Sequence, residues 1–181
     1  MSGFRHLDDT VVHEGHVITL CTSRFEAPDG SVFERDVVRH PGAVSVVPLL
    51  DDGDVVLVRQ YRAAIDEMVL EIPAGKRDVP GEPPELTAAR ELAEEVGYAA
   101  DHLQLLATFH NSVGFSNELG HVYLGTGLHE VPMDRQGIEE AYMEIVRVPL
   151  TATPAMVADG TITDAKTVIG LTLAVAASRP G

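Results

Sequence analysis

The alternation of apolar and polar positions divides the chain into short strand-like runs and a few helical ones. Residues 11–39 read as strands: His16–Phe25 is rich in β-branched side chains, Pro28-Asp29-Gly30-Ser31 makes a turn, and Val32–Arg39 resumes the pattern. That predicts a small antiparallel unit, residues 1–40, ending at the boundary His40-Pro41-Gly42. Ala43–Leu50 and Asp54–Gln60 flank Asp51-Asp52-Gly53, a hairpin signal with glycine where positive φ is needed. Met68–Ile72 is another short strand, and a helix follows over Pro84–Val96. Gln104–His110 and His121–Leu128 read as strands bracketing the loop Asn111–Gly120, and Glu144–Pro149 as one more. Two helices are expected after that, starting near Thr153 and Thr163. Thr167–Ala177 is apolar, too short to span a bilayer, and reads as a buried helix. This order fits α/β architecture, a mixed sheet with helices on both faces over residues 41–181.

The helix carries the chemistry. Pro83 and Pro84 suit its first turn, and Gly97 suits the residue just past its last. On a wheel at about 100° per residue, Leu86, Ala89, Leu92, Ala93 and Val96 fall on one side. Glu91, Glu94 and Glu95 fall together on the other. Carboxylates so placed repel: at ~4 Å each pair costs about 1 kcal/mol in water and about 4 at an effective dielectric of 20. A Glu-rich helix face is ordinarily a solvated one. Here, though, Glu82, seven intervening residues and then RELAEEVGY fix apolar and glycine positions as well as charges, which solvation does not require. Glu91 and Glu95, one helical turn apart, present carboxylates at a spacing suited to Mg²⁺, a hard ion that prefers oxygen donors. The eight-residue step from Glu82 to Arg90 suggests a salt bridge tying loop to helix.

Composition narrows the field. The chain has 181 residues and 45% apolar content, enough for one sizeable core. A net charge of −15 argues against nucleic acid as a macromolecular partner, which would need clustered cations. Lys76 and Lys166 are the only lysines; the other cations are arginines, whose planar fork fits phosphate oxygens, although high-GC codon usage gives the same bias. Cys21 is alone, so no internal disulfide can form, as expected of a cytoplasmic protein. MSGFRHLDDT has no apolar core and predicts no signal peptide, and no membrane partner is expected. The eight histidines show no ligand spacing.

Gly75, Glu82 and Arg90 to Tyr98 resemble the Nudix box, a glycine and a glutamate followed by R-E-apolar-x-E-E-x-G-apolar. FERDVVRHPGAV, LVRQYR, EIPAG and SVGFSNE extend the likeness over most of the chain, to the ADP-ribose pyrophosphatase branch. The resemblance implies an α/β/α Nudix sandwich and Mg²⁺-dependent hydrolysis of ADP-ribose to AMP and ribose 5-phosphate. It implies metal ligands at Glu91, Glu94, Glu95 and the Ala74 carbonyl, holding two or three Mg²⁺ or Mn²⁺ ions. Gly75, Glu82 and Arg90 take structural, orienting roles. One departure is visible: the family places five residues between glycine and first glutamate, whereas six lie between Gly75 and Glu82. A bulge in Lys76–Gly81 and an intact helix are expected.

The remaining candidates bind substrate or move its proton. Arg59 and Arg62 flank Gln60-Tyr61 and fit bidentate phosphate clamping, against the commoner fate of a sheet-edge arginine in solvent. Arg35 and Arg39 are further candidates; in relatives such residues can reach the partner subunit's site. Ser112, Gly114, Phe115 and Glu118 lie 14 to 20 residues past the box, where ADP-ribose hydrolases carry Ser-Pro-Gly. Val113 replaces that proline, which keeps open another nucleoside diphosphate derivative, such as a sugar nucleotide. Glu118 either orients substrate or caps the loop. Relatives take their general base from a loop matching Gly137–Ala141, giving Glu139 or Glu140 with Glu94 as further catalytic carboxylate. Spacing does not choose between the two. The N-terminal strands have little core of their own, and the resembled branch pairs them across a homodimer interface. A non-catalytic Nudix sensor is the contrasting class; such modules lose box carboxylates, and all three stand here.

Overall fold

A computed structural model describes residues 3–135 and 138–178 of the chain. The chain forms two compact units, one of residues 1–42 with 110–119 and the other of 43–109 with 120–181.

The first unit is a three-stranded antiparallel sheet of β1 (Arg5–Glu14), β2 (Thr19–Glu26) and β3 (Val32–Arg39), in that order. Its β2 starts later than the β-branched run suggests, at Thr19. β1 lies mostly before residue 11 and is exposed along nearly its whole length, so no apolar alternation announces it. Phe25 stacks on Phe33 at 5.5 Å between ring centroids, and Phe4 meets Phe33 edge-on at 6.1 Å. Asp9 gathers polar partners: Arg39 donates to both its oxygens at 2.9 and 3.0 Å, and Ser23, fully buried, donates at 2.6 Å. These bonds hold the Asp9 carboxyl far below the usual carboxylate range. The segment 110–119 runs beside β3, where the Val38 N–H donates to the Phe115 carbonyl at 2.7 Å and the His40 N–H to Asn117 at 2.9 Å.

The second unit is the α/β layer structure. β4 (Ala43–Pro48), β7 (Ala74–Lys76), β8 (Tyr98–His110) and β9 (Leu119–Glu130) make one sheet in the order β7-β4-β9-β8. β4 is antiparallel to β7 and parallel to β9. β5 (Asp54–Arg62), β6 (Glu67–Glu71) and β10 (Glu144–Pro149) make the other, with β5 central and antiparallel to both neighbours. The helices are α1 (Pro84–Val96), α2 (Ile138–Ala141), α3 (Thr153–Ala158) and α4 (Ala165–Ala177). β8 begins at Tyr98, six residues before the expected strand.

Strands buried on both faces read as continuous apolar runs, and β5 shows why. Its Val55 and Leu57 join a core with Val47, Ile72, Leu171 and Ala174, whereas Val56 and Val58 join another with Val44, Ala88, Leu92 and Val96. The two cores put α4 and α1 on opposite faces. α4 buries one stripe, Thr167, Gly170, Leu171 and Ala174, rather than its whole surface. No helix among the described residues is long and apolar enough to cross a membrane.

Candidate active site

α1 spans Pro84–Val96 intact and closes on Gly97, with φ 72°. The six-residue spacing upstream is absorbed in a turn: the Glu82 N–H donates to the Val79 carbonyl at 3.2 Å, and Gly81 adopts φ 80° there. The helix is rotated from the wheel's expectation. It buries Thr87, Ala88, Leu92, Glu95 and Val96, while Leu86 is 58% exposed and Ala89 is exposed too. The reason is polar satisfaction. Buried Thr87 donates to Glu82 at 2.8 Å, and buried Glu95 accepts the Ala74 N–H at 2.9 Å, so the helix turns these inward and leaves Leu86 in water.

The carboxylates therefore differ from one another. Glu91 packs on β7 so closely that a Cβ added to Gly75 would stand 1.9 Å from its carboxyl carbon. Only glycine fits there. Burial pushes Glu91 up to about 7; Arg90 pulls it down, and Glu94 and Asp78 push it further up. Glu95 is 4% exposed, and burial raises it to about 8 against the Ala74 N–H, with Glu91 and Glu140 adding to the rise and Arg62 opposing it. Arg90 meets Glu91 at 3.0 Å, Glu94 at 3.1 Å, Asp78 at 3.3 Å and Glu82 at 3.6 Å, so the loop-to-helix salt bridge is part of a wider cluster.

Among the described residues no three His, Cys, Asp or Glu side chains close into a cation-sized group. The donor chemistry nonetheless fits a hard divalent cation. Glu91, Glu94 and Glu95 bring carboxylate oxygens within two turns of one helix, and burial makes ionisation of Glu91 and Glu95 costly unless a cation accompanies it. Ala74 meets this group through its N–H.

The arginines are more committed than their sequence suggests. Both donors of the Arg62 fork, Nε and Nη2, bind Glu71 at 2.6 Å each, so the expected bidentate clamp closes on a carboxylate of the protein. Glu71 is 1% exposed and also pairs with Lys166, which meets Asp164 at 3.0 Å. Asp164 caps α4 by accepting from the Thr167 N–H at 2.9 Å. Arg59 lies 3.9 Å from Glu144, a loose pair. In the first unit Arg39 is held by Asp9, and the Arg35 guanidinium lies 4.8 Å over the Phe33 ring. The Ser112 carbonyl accepts N–H groups of Phe115 and Ser116, building the turn that carries Gly114. A side chain on Gly114 would meet nothing within 4 Å. The Glu118 N–H donates to the Ser116 hydroxyl oxygen at 3.1 Å, so Ser116 supplies a loop cap. Glu140 lies on α2, and its charge acts on Glu95. Glu139 is on the same helix, with its side chain outside the described ones, as is Gly137.

Sequence reasoning passed over three groups. Gln60 is 5% exposed, with no partner for its Nε2 among the described residues, on the β5 face it shares with Val58 and Arg62. Glu71 and Lys166 form the ion pair just described; EIPAG marks the first, and the scarcity of lysine was the only signal for the second. Arg135 bonds two backbone carbonyls and had no signal.

Comparisons with known proteins place the chain in a family. The NUDIX domain model matches residues 39–165. The chain is 38% identical over 156 residues to an ADP-ribose pyrophosphatase of Bacillus subtilis (strain 168), covering 86% of this chain and 84% of that protein. It is 39% identical over 178 residues to an ADP-ribose pyrophosphatase of Mycobacterium tuberculosis (strain ATCC 25618 / H37Rv), covering 98% and 86%. A solved structure described as an ADP compounds hydrolase superposes with a TM-score of 0.82 at 23% identity, covering 96% of this chain and 92% of that one.

Proposed function

The chain belongs to the Nudix hydrolase family, and from that premise we propose that it hydrolyses the pyrophosphate bond of ADP-ribose to AMP and ribose 5-phosphate. The observation that carries this reading is Glu95: a carboxyl group 4% exposed beside Glu91, with no ion pair among the described residues, so that a bound cation would favour its ionised form. Glu91, Glu94 and Glu95 with the Ala74 carbonyl would hold Mg²⁺ or Mn²⁺, two or three ions. Bound divalent cations supply polarised phosphoryl oxygens and an acidified water.

The protein's own part is positioning and proton transfer. The Ala74 N–H fixes one Glu95 oxygen, Gly75 makes room for Glu91, and Arg90 with Glu82 ties the loop to the helix. Arg62, anchored by Glu71, presents its remaining nitrogen, Nη1, to anionic oxygens. The water oxygen bonds to one phosphorus as the bridging P–O bond breaks, and its proton passes to the carboxylate of Glu139 or Glu140. Arg59, Arg35, Arg39 and the segment holding Ser112, Gly114, Phe115 and Glu118 are the candidates for substrate recognition.

Val113, in the position of the family's marker proline, favours a second reading in which a sugar nucleotide is the substrate. The first unit leaves Val11, Val12, Val17 and Ile18 between 40% and 60% exposed, which supports a homodimer, with cytoplasmic location the matching compartment. A panel of ADP-ribose and sugar nucleotides with Mg²⁺ in ¹⁸O-water tests both substrate readings. AMP and ribose 5-phosphate from ADP-ribose, abolished by chelation, is the expected result; intact ADP-ribose beside cleaved sugar nucleotide transfers the function to the second. A monomeric mass in solution removes the dimer.

A further inference from the structure

A helix leaves its last four carbonyls without intrahelical donors, and α1 has no basic residue in its last turn. The Ala93 carbonyl takes the Gly97 N–H, and those of Glu94 and Glu95, with that of Gly97 just past the helix, are reached from the segment after β9. The Val131 N–H donates to the Gly97 carbonyl at 2.8 Å and the Asp134 N–H to that of Glu94 at 3.3 Å. Arg135 then does two things with one guanidinium. Its Nε donates to the Glu95 carbonyl at 3.1 Å, and its Nη1 donates to the Met143 carbonyl at 3.0 Å. Met143 is 5% exposed and packed in the same core as Leu92 and Val96. Its N–H in turn donates to the Glu140 carbonyl at 3.1 Å.

We propose that Arg135 is a positioning residue that sets α2, and the Glu140 it carries, at a fixed distance from the helix bearing Glu91, Glu94 and Glu95. The inference rests on the hydrolase reading above and deepens it. The residue type suits the task. A guanidinium is a rigid planar fork with donors on separate nitrogens, so it holds two carbonyls at a set separation, which a lysine ammonium on a flexible stem does not. Its charge is also favourable at a helix C-terminus. Among the described residues Arg135 bonds only backbone, so its loss leaves Glu91, Glu94 and Glu95 in place and removes the brace to α2. A misplacement of about 1 Å between reacting groups lowers turnover about a hundredfold.

The test compares wild type with Arg135→Ala and Arg135→Lys, measuring kcat, KM for the nucleotide and Tm in Mg²⁺. The expected result is a kcat for R135A lower by about a hundredfold, with KM within about twofold of wild type. Added guanidinium chloride at millimolar concentration restores part of kcat to R135A, and R135K recovers less than the full rate. Should R135A fail to fold, Arg135→Gln, which keeps a single donor nitrogen, carries the same comparison. An unchanged kcat overturns the proposal, as does a fall in kcat matched by a higher KM and lower Tm with no guanidinium rescue. A wild-type chain that cleaves no nucleoside diphosphate derivative overturns the hydrolase reading and this proposal with it. An active wild type with an unaltered R135A overturns this proposal alone.

Discussion

Glu71 and Glu95 are carboxylates of nearly equal burial, 1% and 4% exposed, in different corners of one unit. Glu71 ends β6 and is held by the Arg62 fork and by Lys166. Glu95 sits on α1 with one backbone N–H at 2.9 Å and no ion pair of its own among the described residues. A buried charge is tolerated when it is paired and hydrogen-bonded. The first corner meets that condition with side chains, and so reads as a fastener joining β5, β6 and α4. The second does not, which is why burial drives Glu95 up to about 8. Burial alone does not distinguish a structural carboxylate from a ligand; the source of its counter-charge does.

The largest effect is expected at Glu95. Glu95→Gln keeps the shape and the acceptor for Ala74 but removes the charge, and Mg²⁺-dependent turnover is expected to fall by about a thousandfold. Stability should move the other way. Glu91 and Glu95, raised to about 7 and 8, keep their protons in the folded chain up to pH values where the unfolded chain, near 4.5, has lost them. Between those limits the folded state binds more protons, so stability of the metal-free protein falls as pH rises from 5 to 8. Denaturant titrations in chelator should show that decline in wild type and a shallower one in E95Q. Full turnover by E95Q would break the contrast with Glu71.

The intermediate effect belongs to Glu71. Glu71→Gln leaves Lys166 and Arg62 facing a neutral group, and removing one partner of a buried pair is strongly destabilising. The Arg62 side chain is 41% exposed and can rehydrate, so the loss is expected at the low end, about 3 kcal/mol by urea unfolding. Where E95Q stabilises the metal-free fold at pH 8, E71Q weakens it. Equal stability changes in both variants would erase the distinction between fastener and ligand.

How much of this was legible depends on the range over which the information lies. The α1 boundaries and the β4 and β5 runs follow from local pattern: proline at the start, glycine at the end, valines between. β1 did not follow, because a strand exposed on both faces carries no alternation, and β8 starts early because its first residues are polar and alanine-rich. The three box carboxylates were legible as a set, yet not their inequality. The wheel placed Glu95 with its neighbours, and only packing against Ala74 turns it inward. The Arg62 fork is a similar case: a pair of flanking arginines suggests phosphate, while the carboxylate that takes it lies nine residues on and its second cation ninety-five further. Side chains that work through another residue's backbone, as Arg135 does, have no motif to betray them.

Val113 supplies the baseline for the comparison, since it is uncharged and 79% exposed, and changes there should register only local effects. The turn it occupies is made by Phe115 and Ser116 donating to the Ser112 carbonyl, so Val113 stands at the position after the turn's first residue, where proline is favoured. Its N–H takes part in none of those bonds, so proline removes no donor that the turn uses. Val113→Pro is therefore expected to raise stability by about 0.5 kcal/mol, through the lower entropy of the unfolded chain. By resemblance to the ADP-ribose branch it should also raise the ratio of kcat/KM for ADP-ribose over a sugar nucleotide, by about threefold, well short of the E95Q effect. Unfolding curves and paired kinetics on the two substrates check both figures. A loss of stability instead would mean that the turn needs a backbone angle proline cannot adopt, and an unmoved ratio would detach this position from substrate choice.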